Sequence, residues 1–189
     1  VTLDGNLTYG LINITTGGLT VRDVVVSVDP LMSPSYDAES WEENGFGSMG
    51  VYANTPVVDI NGLEITGYNN CGANLQSDSS TAFNVEGLNV HDVGRKGLIV
   101  AGHTGTMNNV VLKDIFDLDG LSSKELDENG EYLDLDEDGE PDYTTFCSVL
   151  DRNAGAAIIN ADLTVSNVLT QDVQGFGWSV IGVQANSNM

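Results

Sequence analysis

The chain has 189 residues, of which 41% are hydrophobic, a proportion that supports one folded domain and excludes a disordered chain. Its formal net charge of -22 excludes nucleic acid and anionic membrane surfaces as partners and suits divalent cations. The sequence has no run of about 18 apolar residues, so we predict no membrane span. Glycine is abundant at 22 residues and proline is scarce at 4, which favours many short turns over long helices.

One short pattern of apolar residues recurs along the chain. It reads apolar, any, apolar, any, any, apolar, so an alternation is followed by a slip of one residue. Such a pattern is typical of a β-strand that bends and continues, and it does not match the three- and four-residue spacing of a helix. In chain order the copies are Leu19-x-Val21-x-x-Val24, Leu63-x-Ile65-x-x-Tyr68, Leu88-x-Val90-x-x-Val93, Val110-x-Leu112-x-x-Ile115 and Leu163-x-Val165-x-x-Val168.

The spacing of these copies indicates a solenoid. Leu63, Leu88 and Val110 follow one another at steps of 25 and 22 residues. The steps before and after these are 44 and 53 residues, because polar insertions interrupt the pattern at about 29–49 and 117–143. Without the insertions each step is about one coil, in the length range where solenoid repeats are expected.

Further short strands and bends are predicted between the copies. Three apolar runs each follow a glycine, and they are Gly50-Val51-Tyr52-Ala53, Gly97-Leu98-Ile99-Val100 and Gly177-Trp178-Ser179-Val180-Ile181. The bends are marked by pairs of residues that tolerate left-handed backbone, namely Asn61-Gly62, Glu86-Gly87 and Asn108-Asn109.

Together these features resemble the right-handed parallel β-helix of the pectate-lyase type, over about three quarters of the chain. The resemblance implies an all-β solenoid of about five to six coils, stacked ~4.8 Å apart so that each coil buries its apolar face on the next. The alternative is an antiparallel β-sandwich, which also contains many short strands. Since the chain starts at Val1 in strand-like sequence, we expect residues 1–189 to be a single β-helix domain and an excerpt or processed form.

The second insertion contains a candidate calcium loop, Asp134-Leu135-Asp136-Glu137-Asp138-Gly139-Glu140-Pro141-Asp142. Asp at positions 1, 3 and 5, Gly at 6 and Asp at 9 match the start of an EF-hand-type loop, in which alternate carboxylates reach one ion. The segment resembles the calcium loops of dockerins and thrombospondin type 3 repeats. It departs from an EF-hand at position 12, where Thr145 replaces the bidentate Glu. The alternative is a solvated acidic turn.

The predicted cofactor is therefore calcium. Its predicted ligands are the side chains of four aspartates and the backbone carbonyl of one glutamate, at Asp134, Asp136, Asp138, Asp142 and Glu140.

The two cysteines and the first insertion leave alternatives open. Cys71 and Cys147 suit one disulfide of a secreted protein, or two buried thiols. Trp41 and Phe46 lie among carboxylates in the first insertion, where they form either a loop for carbohydrate or another partner, or a lid on the solenoid wall. With the acidic charge and the calcium loop, we expect an extracellular or cell-surface location.

The sequence identifies no catalytic residue. Arg95-Lys96, near His91 and His103, is the only basic cluster, and a lyase needs such a base. A hydrolase needs paired carboxylates, for which we considered Asp23, Asp59 and Asp92 at similar places in successive coils. No motif fixes a nucleophile, an acid or a base, and analogy of fold does not establish an activity.

Three functions follow as hypotheses. The favoured one is an extracellular, calcium-binding structural or adhesive solenoid module. The second is a filament or surface-layer subunit that stacks end to end, since repeat proteins without polar caps expose their terminal coils. The third is a polysaccharide lyase or hydrolase. The expected partners are neighbouring coils of a longer chain or other copies, with carbohydrate as a further candidate.

Overall fold

The computed structural model describes residues 2–4, 9–28, 49–68, 71–116 and 154–182. Within these ranges the chain is all-β, with twelve strands and no helix. The strands are β1 (Thr2–Asp4), β2 (Tyr9–Ile14), β3 (Leu19–Ser27), β4 (Met49–Asn54), β5 (Val57–Thr66), β6 (Cys71–Gln76), β7 (Ala82–Gly94), β8 (Lys96–Ala101), β9 (Thr104–Phe116), β10 (Ala154–Ile159), β11 (Asp162–Val173) and β12 (Phe176–Ile181).

The strands alternate between two parallel sheets. Sheet A contains the odd-numbered strands in the order β1-β3-β5-β7-β9-β11, and sheet B contains the even-numbered strands in the order β2-β4-β6-β8-β10-β12. Every described strand pair is parallel, which confirms the all-β, parallel prediction and excludes the antiparallel sandwich. We call an odd-numbered strand together with the even-numbered strand after it one repeat.

The pairing register confirms part of the predicted spacing and corrects the rest. Leu63 lies beside Leu88, and Leu88 lies beside Val110, as the steps of 25 and 22 residues predicted. Leu19, however, lies beside Val58 and not beside Leu63. Leu163 likewise lies beside Gly105, so the alignment of the first and last copies with the middle three was wrong.

Two bends in the sheet A strands explain this error. At each bend a residue takes positive φ, between +49° and +87°, where Gly, Asn and Asp are tolerated. Each bend carries the same six-residue apolar pattern, so the pattern alone cannot tell them apart. The first bend holds Asp23, Gly62, Gly87, Asn109 and Asn167 in successive strands, and the second holds Gly67, Asp92, Asp114 and Asp172.

The hydrophobic core lies between the two sheets. Because the side chain of every second residue points inward and the slip at each bend restores this direction, apolar residues of neighbouring strands stack in columns. Sheet A contributes one such column at Ile60, Val85 and Met107, all buried. Sheet B contributes Ala53, Leu75, Val100 and Ile158.

A column of glycines runs the length of sheet B. The second residue of every sheet B strand is glycine, and the register places these residues next to one another. We call them the glycine column: Gly10, Gly50, Gly72, Gly97, Gly155 and Gly177.

Steric contact explains why the column excludes side chains. A Cβ at Gly97 would lie 2.6 Å from the Gly155 carbonyl oxygen and 3.2 Å from Cδ1 of Ile115. The first of these is a backbone atom, which cannot move aside without shifting the next strand. Glycine therefore lets consecutive strands of sheet B pack closely while sheet A approaches from the inside.

We expect Gly97→Ala to lower the free energy of unfolding by about 1–3 kcal/mol, because its new methyl group overlaps the backbone of β10. Gly177→Ala is the matched control, since a Cβ there meets only Thr170 Cγ2, at 3.8 Å. It should change the free energy by less than about 0.5 kcal/mol. Urea denaturation measures both, and equal effects of the two substitutions would contradict the steric account.

Candidate functional site

The predicted calcium ligands lie outside the described residues, so Asp134 to Asp142 remain a sequence prediction. The same holds for Trp41 and Phe46, and for both insertions except Met49, which begins β4. Among the described residues, no group of three or more His, Cys, Asp or Glu side chains is arranged to hold a metal ion.

The richest arrangement of polar groups in the described ranges lies on the outer face of sheet A. Here outward side chains of adjacent repeats are in register and reach one another directly. We call this surface the polar ladder, formed by Arg22, Asp59, Glu64, Asn84, Glu86, His91, Thr106, Asn108, Asn109, Lys113, Ser166 and Asn167.

The first part of the ladder joins four consecutive sheet A strands. Arg22 Nη2 donates to the Asp59 carboxylate, and its Nη1 donates to the Asp59 carbonyl oxygen at 2.9 Å. Asn84 donates to Asp59 at 3.2 Å and accepts from the Thr106 hydroxyl at 3.1 Å. The hydrogen bonds from Arg22 and then Asn84 hold the pKa of Asp59 below its ordinary value, so this carboxylate is ionised, and each of its oxygens accepts one of these bonds.

The second part of the ladder is built on amides. Asn108 Nδ2 and Asn109 Nδ2 donate to the two carboxylate oxygens of Glu86, at 2.8 and 2.5 Å. The Asn108 side-chain oxygen in turn accepts from Ser166 at 2.9 Å and from Asn167 at 2.8 Å. Three consecutive strands are joined in this way, and Asn109 and Asn167 also occupy the first bend.

The third part is the ionisable cluster near the second bend. His91 Nδ1 lies 2.7 Å from Asp92 Oδ2, and its Nε2 lies 3.4 Å from Glu64 Oε1 on the neighbouring strand. In the next repeat Lys113 Nζ lies 3.0 Å from Asp114 Oδ2. The hydrogen bond to Asp114 and its charge raise the pKa of Lys113.

Opposing effects act on His91. Desolvation is the largest single influence and lowers its pKa, but the hydrogen bonds and charges of Asp92 and Glu64 together outweigh it, so the pKa is raised. The protonated ring joins β5 to β7, because its two nitrogens then donate to carboxylates of both strands.

The ladder therefore holds the repeats together. A general acid needs a carboxyl pKa that is raised, whereas the pKa of Asp59 is lowered. The carboxylates of Glu86, Asp92 and Asp114 accept hydrogen bonds from neighbouring side chains. The sequence did not predict the ladder, although its outward Asn, Asp and Thr residues were a visible signal.

The candidate carboxylates considered for hydrolysis are not equivalent positions, so that interpretation was wrong. Asp23 is at the first bend and Asp92 is at the second, while Asp59 lies beside Thr20 and Asn84 within the strand.

The basic cluster predicted from the sequence does not form an open site. Arg95 and Lys96 are 6% and 3% exposed, and His103 is completely buried. His91 lies on the outer face of sheet A, where it contacts two carboxylates.

His103 instead packs inside the fold. Its ring centroid lies 4.6 Å from that of Phe83, and its Nδ1 lies 3.1 Å from Ser80 Oγ, which accepts the Thr104 N–H at 3.2 Å. Burial lowers the pKa of His103 more than a hydrogen bond to the Gln76 backbone raises it, so the neutral ring is favoured. The contacts of Ser80 with His103 and Thr104 fix the turn before β9.

The outer face of sheet B carries a second, smaller apolar cluster. It is made of buried residues that point away from the main core: Met49, Tyr52, Cys71, Ile99, Ala157 and Ile159. Cys71 Sγ lies 3.5 Å from the Ala73 carbonyl oxygen. Cys147 lies outside the described residues, so the pairing of the two cysteines stays open.

Comparison with known proteins gives no relative. The chain matches no protein-family model, no curated protein and no solved structure. In the described part of the chain, no helix has the length and apolarity needed to cross a membrane.

The raised pKa of His91 predicts a pH-dependent contribution to stability. Since the folded-state pKa exceeds the unfolded value of about 6.5, the contribution is complete below that value and is lost as pH rises through the folded pKa. We expect the difference in Tm between wild type and His91→Gln to be largest near about pH 5 and to shrink towards about pH 9. A difference that is independent of pH would refute the bridging role.

His103 should behave in the opposite way. Its folded-state pKa is lowered, so protonation of the unfolded chain destabilises the fold as pH falls below about 6.5. Between about pH 7.5 and pH 5, we expect the Tm of wild type to fall further than the Tm of His103→Gln. Over the same range the Tm of His91→Gln should fall further than that of wild type. The change in Tm with pH is the quantity to compare, because His103→Gln also loses the contact with Phe83 at every pH.

Proposed function

We propose that this chain is a structural or adhesive module of an extracellular or cell-surface protein, built as a right-handed parallel β-helix. Each repeat would form one coil, which gives six coils. The alternation of parallel strands between two sheets supports this architecture, because it takes the chain around a shared core once per repeat. Right-handed crossovers are the strong preference for parallel strands.

The polar ladder is the observation that carries the functional proposal. Side chains on the outer face of sheet A bond mainly to the repeats above and below, as Asn108 does with Glu86 and Ser166. Side chains that bond to neighbouring repeats stiffen the stack, and their hydrogen bonds add to the backbone hydrogen bonds of the parallel sheets. A stiff scaffold suits a spacer or a support better than a site that must rearrange around a substrate.

We further propose that the module binds calcium through Asp134, Asp136, Asp138, Glu140 and Asp142. Two features support this. The order of oxygen ligands and Gly139 fits a calcium loop, and the net charge of -22 gives a strong attraction for divalent cations. Calcium bound at this insertion would neutralise carboxylates that otherwise repel one another.

Thermal unfolding in calcium and in chelator tests this function. We expect calcium to raise the stability of wild type by about 2.7 kcal/mol at a hundredfold excess over its Kd, because it binds the folded loop preferentially. Asp136→Asn together with Asp138→Asn should abolish most of this gain, since both remove carboxylate ligands. Asp78→Asn is the control, because Asp78 is an exposed acidic residue between β6 and β7 and is outside that insertion in the sequence.

Two results would overturn the calcium proposal. One is the absence of any calcium-dependent change in wild type. The other is an equal loss of the calcium effect in the Asp78→Asn control, which would mean that calcium acts only through the general negative charge.

A further inference from the structure

The steric contacts of the glycine column with neighbouring sheet B strands run in one direction along the chain. At each of its first five members, an added Cβ would meet the carbonyl oxygen of the glycine in the following sheet B strand. The separation is 2.7 Å for Gly10 against Gly50, and 2.6 Å for both Gly50 against Gly72 and Gly155 against Gly177. The following sheet B strand therefore excludes a side chain at all five positions, in addition to sheet A side chains such as Val90, whose Cγ1 would overlap a Cβ at Gly72.

Gly177 has no such strand beside it in the described part of the chain. A Cβ there would meet only Thr170 Cγ2, at 3.8 Å, and Gly177 does not have positive φ. Its own surroundings thus do not require glycine. Glycine would be required at this position if another sheet B strand packed onto β12.

Apolar residues at the same edge fit this interpretation. Val165, Val168 and Val180 occupy core columns, yet they are 37%, 37% and 65% exposed. Their neighbours on the preceding strands, Met107 and Val110, are completely buried. Exposed apolar patches of this kind on an unpaired strand edge mark an interaction surface.

Strand β2 has the features that a strand packed on β12 would need. It is the other edge strand of sheet B and carries Gly10 in the glycine column. Its Ile14 is 65% exposed and occupies the column that ends in Ile181, itself 39% exposed. A parallel pairing of β12 with β2 would therefore place the two isoleucines side by side and Gly10 beside Gly177.

We propose that the β12 edge binds the β2 edge of a second copy of this chain, in parallel and with Gly177 in register with Gly10. The chain alternates between the sheets throughout, so β1 of the second copy would then follow onto the second half of β11, in the register that it keeps with β3. This inference rests on the proposed β-helix, and it identifies a second copy of the chain as the partner of that module.

This contact joins two different surfaces, so it is heterologous, and a pair of copies retains one unused β2 edge and one unused β12 edge. Continued addition would build a fibre. Because every copy carries a charge of -22, repulsion opposes association, and salt or divalent cations should promote it.

Light scattering and analytical ultracentrifugation of the full chain test the proposal over rising protein concentration, in low salt, high salt and calcium. Wild type should form species larger than the dimer in high salt or calcium. Gly177→Val should remain monomeric with an unchanged Tm, since the extra atoms project where the second copy would pack. Ala82→Val is the matched control and should assemble like wild type, because Ala82 is exposed on β7, an interior strand of sheet A that lies at neither proposed edge.

A mixing experiment fixes the direction of the contact. Ile14→Asp blocks the β2 edge and changes an exposed side chain, so it should also be monomeric and folded. Gly177→Val retains a free β2 edge, and Ile14→Asp retains a free β12 edge. An equimolar mixture should thus form heterodimers and nothing larger.

Three outcomes would overturn the proposal: wild type that stays monomeric in every condition, Gly177→Val that assembles like wild type, or variants that do not combine on mixing. None of these bears on the module itself. The calcium-dependent Tm of monomeric Gly177→Val reports on that proposal separately.

Discussion

The close approach of consecutive sheet B strands at the glycine column is the constraint on which the rest of this structure depends. At Gly97 the backbone carbonyl of the next strand occupies the place of a side chain, while Ile115 and Leu112 of sheet A fill the space on the inside. Sheet B therefore has no side chain at this position in any repeat, and sheet A packs against bare backbone. One residue per repeat thereby fixes both the spacing along the stack and the separation of the two sheets.

This constraint places most of the chemical variety on sheet A. Its strands are longer and bend twice, and their outward positions bring polar side chains of neighbouring repeats within hydrogen-bonding distance. Because parallel register is conserved through the glycine column, Asn84 meets Asp59 and Asn108 meets Glu86 without any insertion or bulge between them. The ladder is thus a consequence of exact repetition in the backbone, and it converts an acidic surface into cross-links between repeats.

The sequence predicted the architecture better than the site. Alternation with a slip correctly indicated bent parallel strands, since it reflects inward-facing residues on both sides of a left-handed bend. It did not separate Asp23 from Asp92, because both bends obey the same pattern. The polar ladder was missed for a physical reason: its hydrogen bonds between strands join residues 22 to 59 positions apart, and local patterns carry no information about such pairs. The buried position of His103 was hidden for the same reason.

Electrostatics link the two proposals made for this protein. The insertion at about 117–143 carries 12 of the 28 acidic residues and one lysine, so the negative charge is concentrated in one short segment. In the polar ladder, by contrast, Arg22, His91 and Lys113 each contact a carboxylate, and amides bond the rest. Half of the net charge that keeps copies apart, -11 of -22, therefore belongs to the segment that we propose to bind calcium. A cation there would lower the repulsion between copies as well as stabilise the loop, so calcium would act on assembly through charge even when it lies far from the β12 edge.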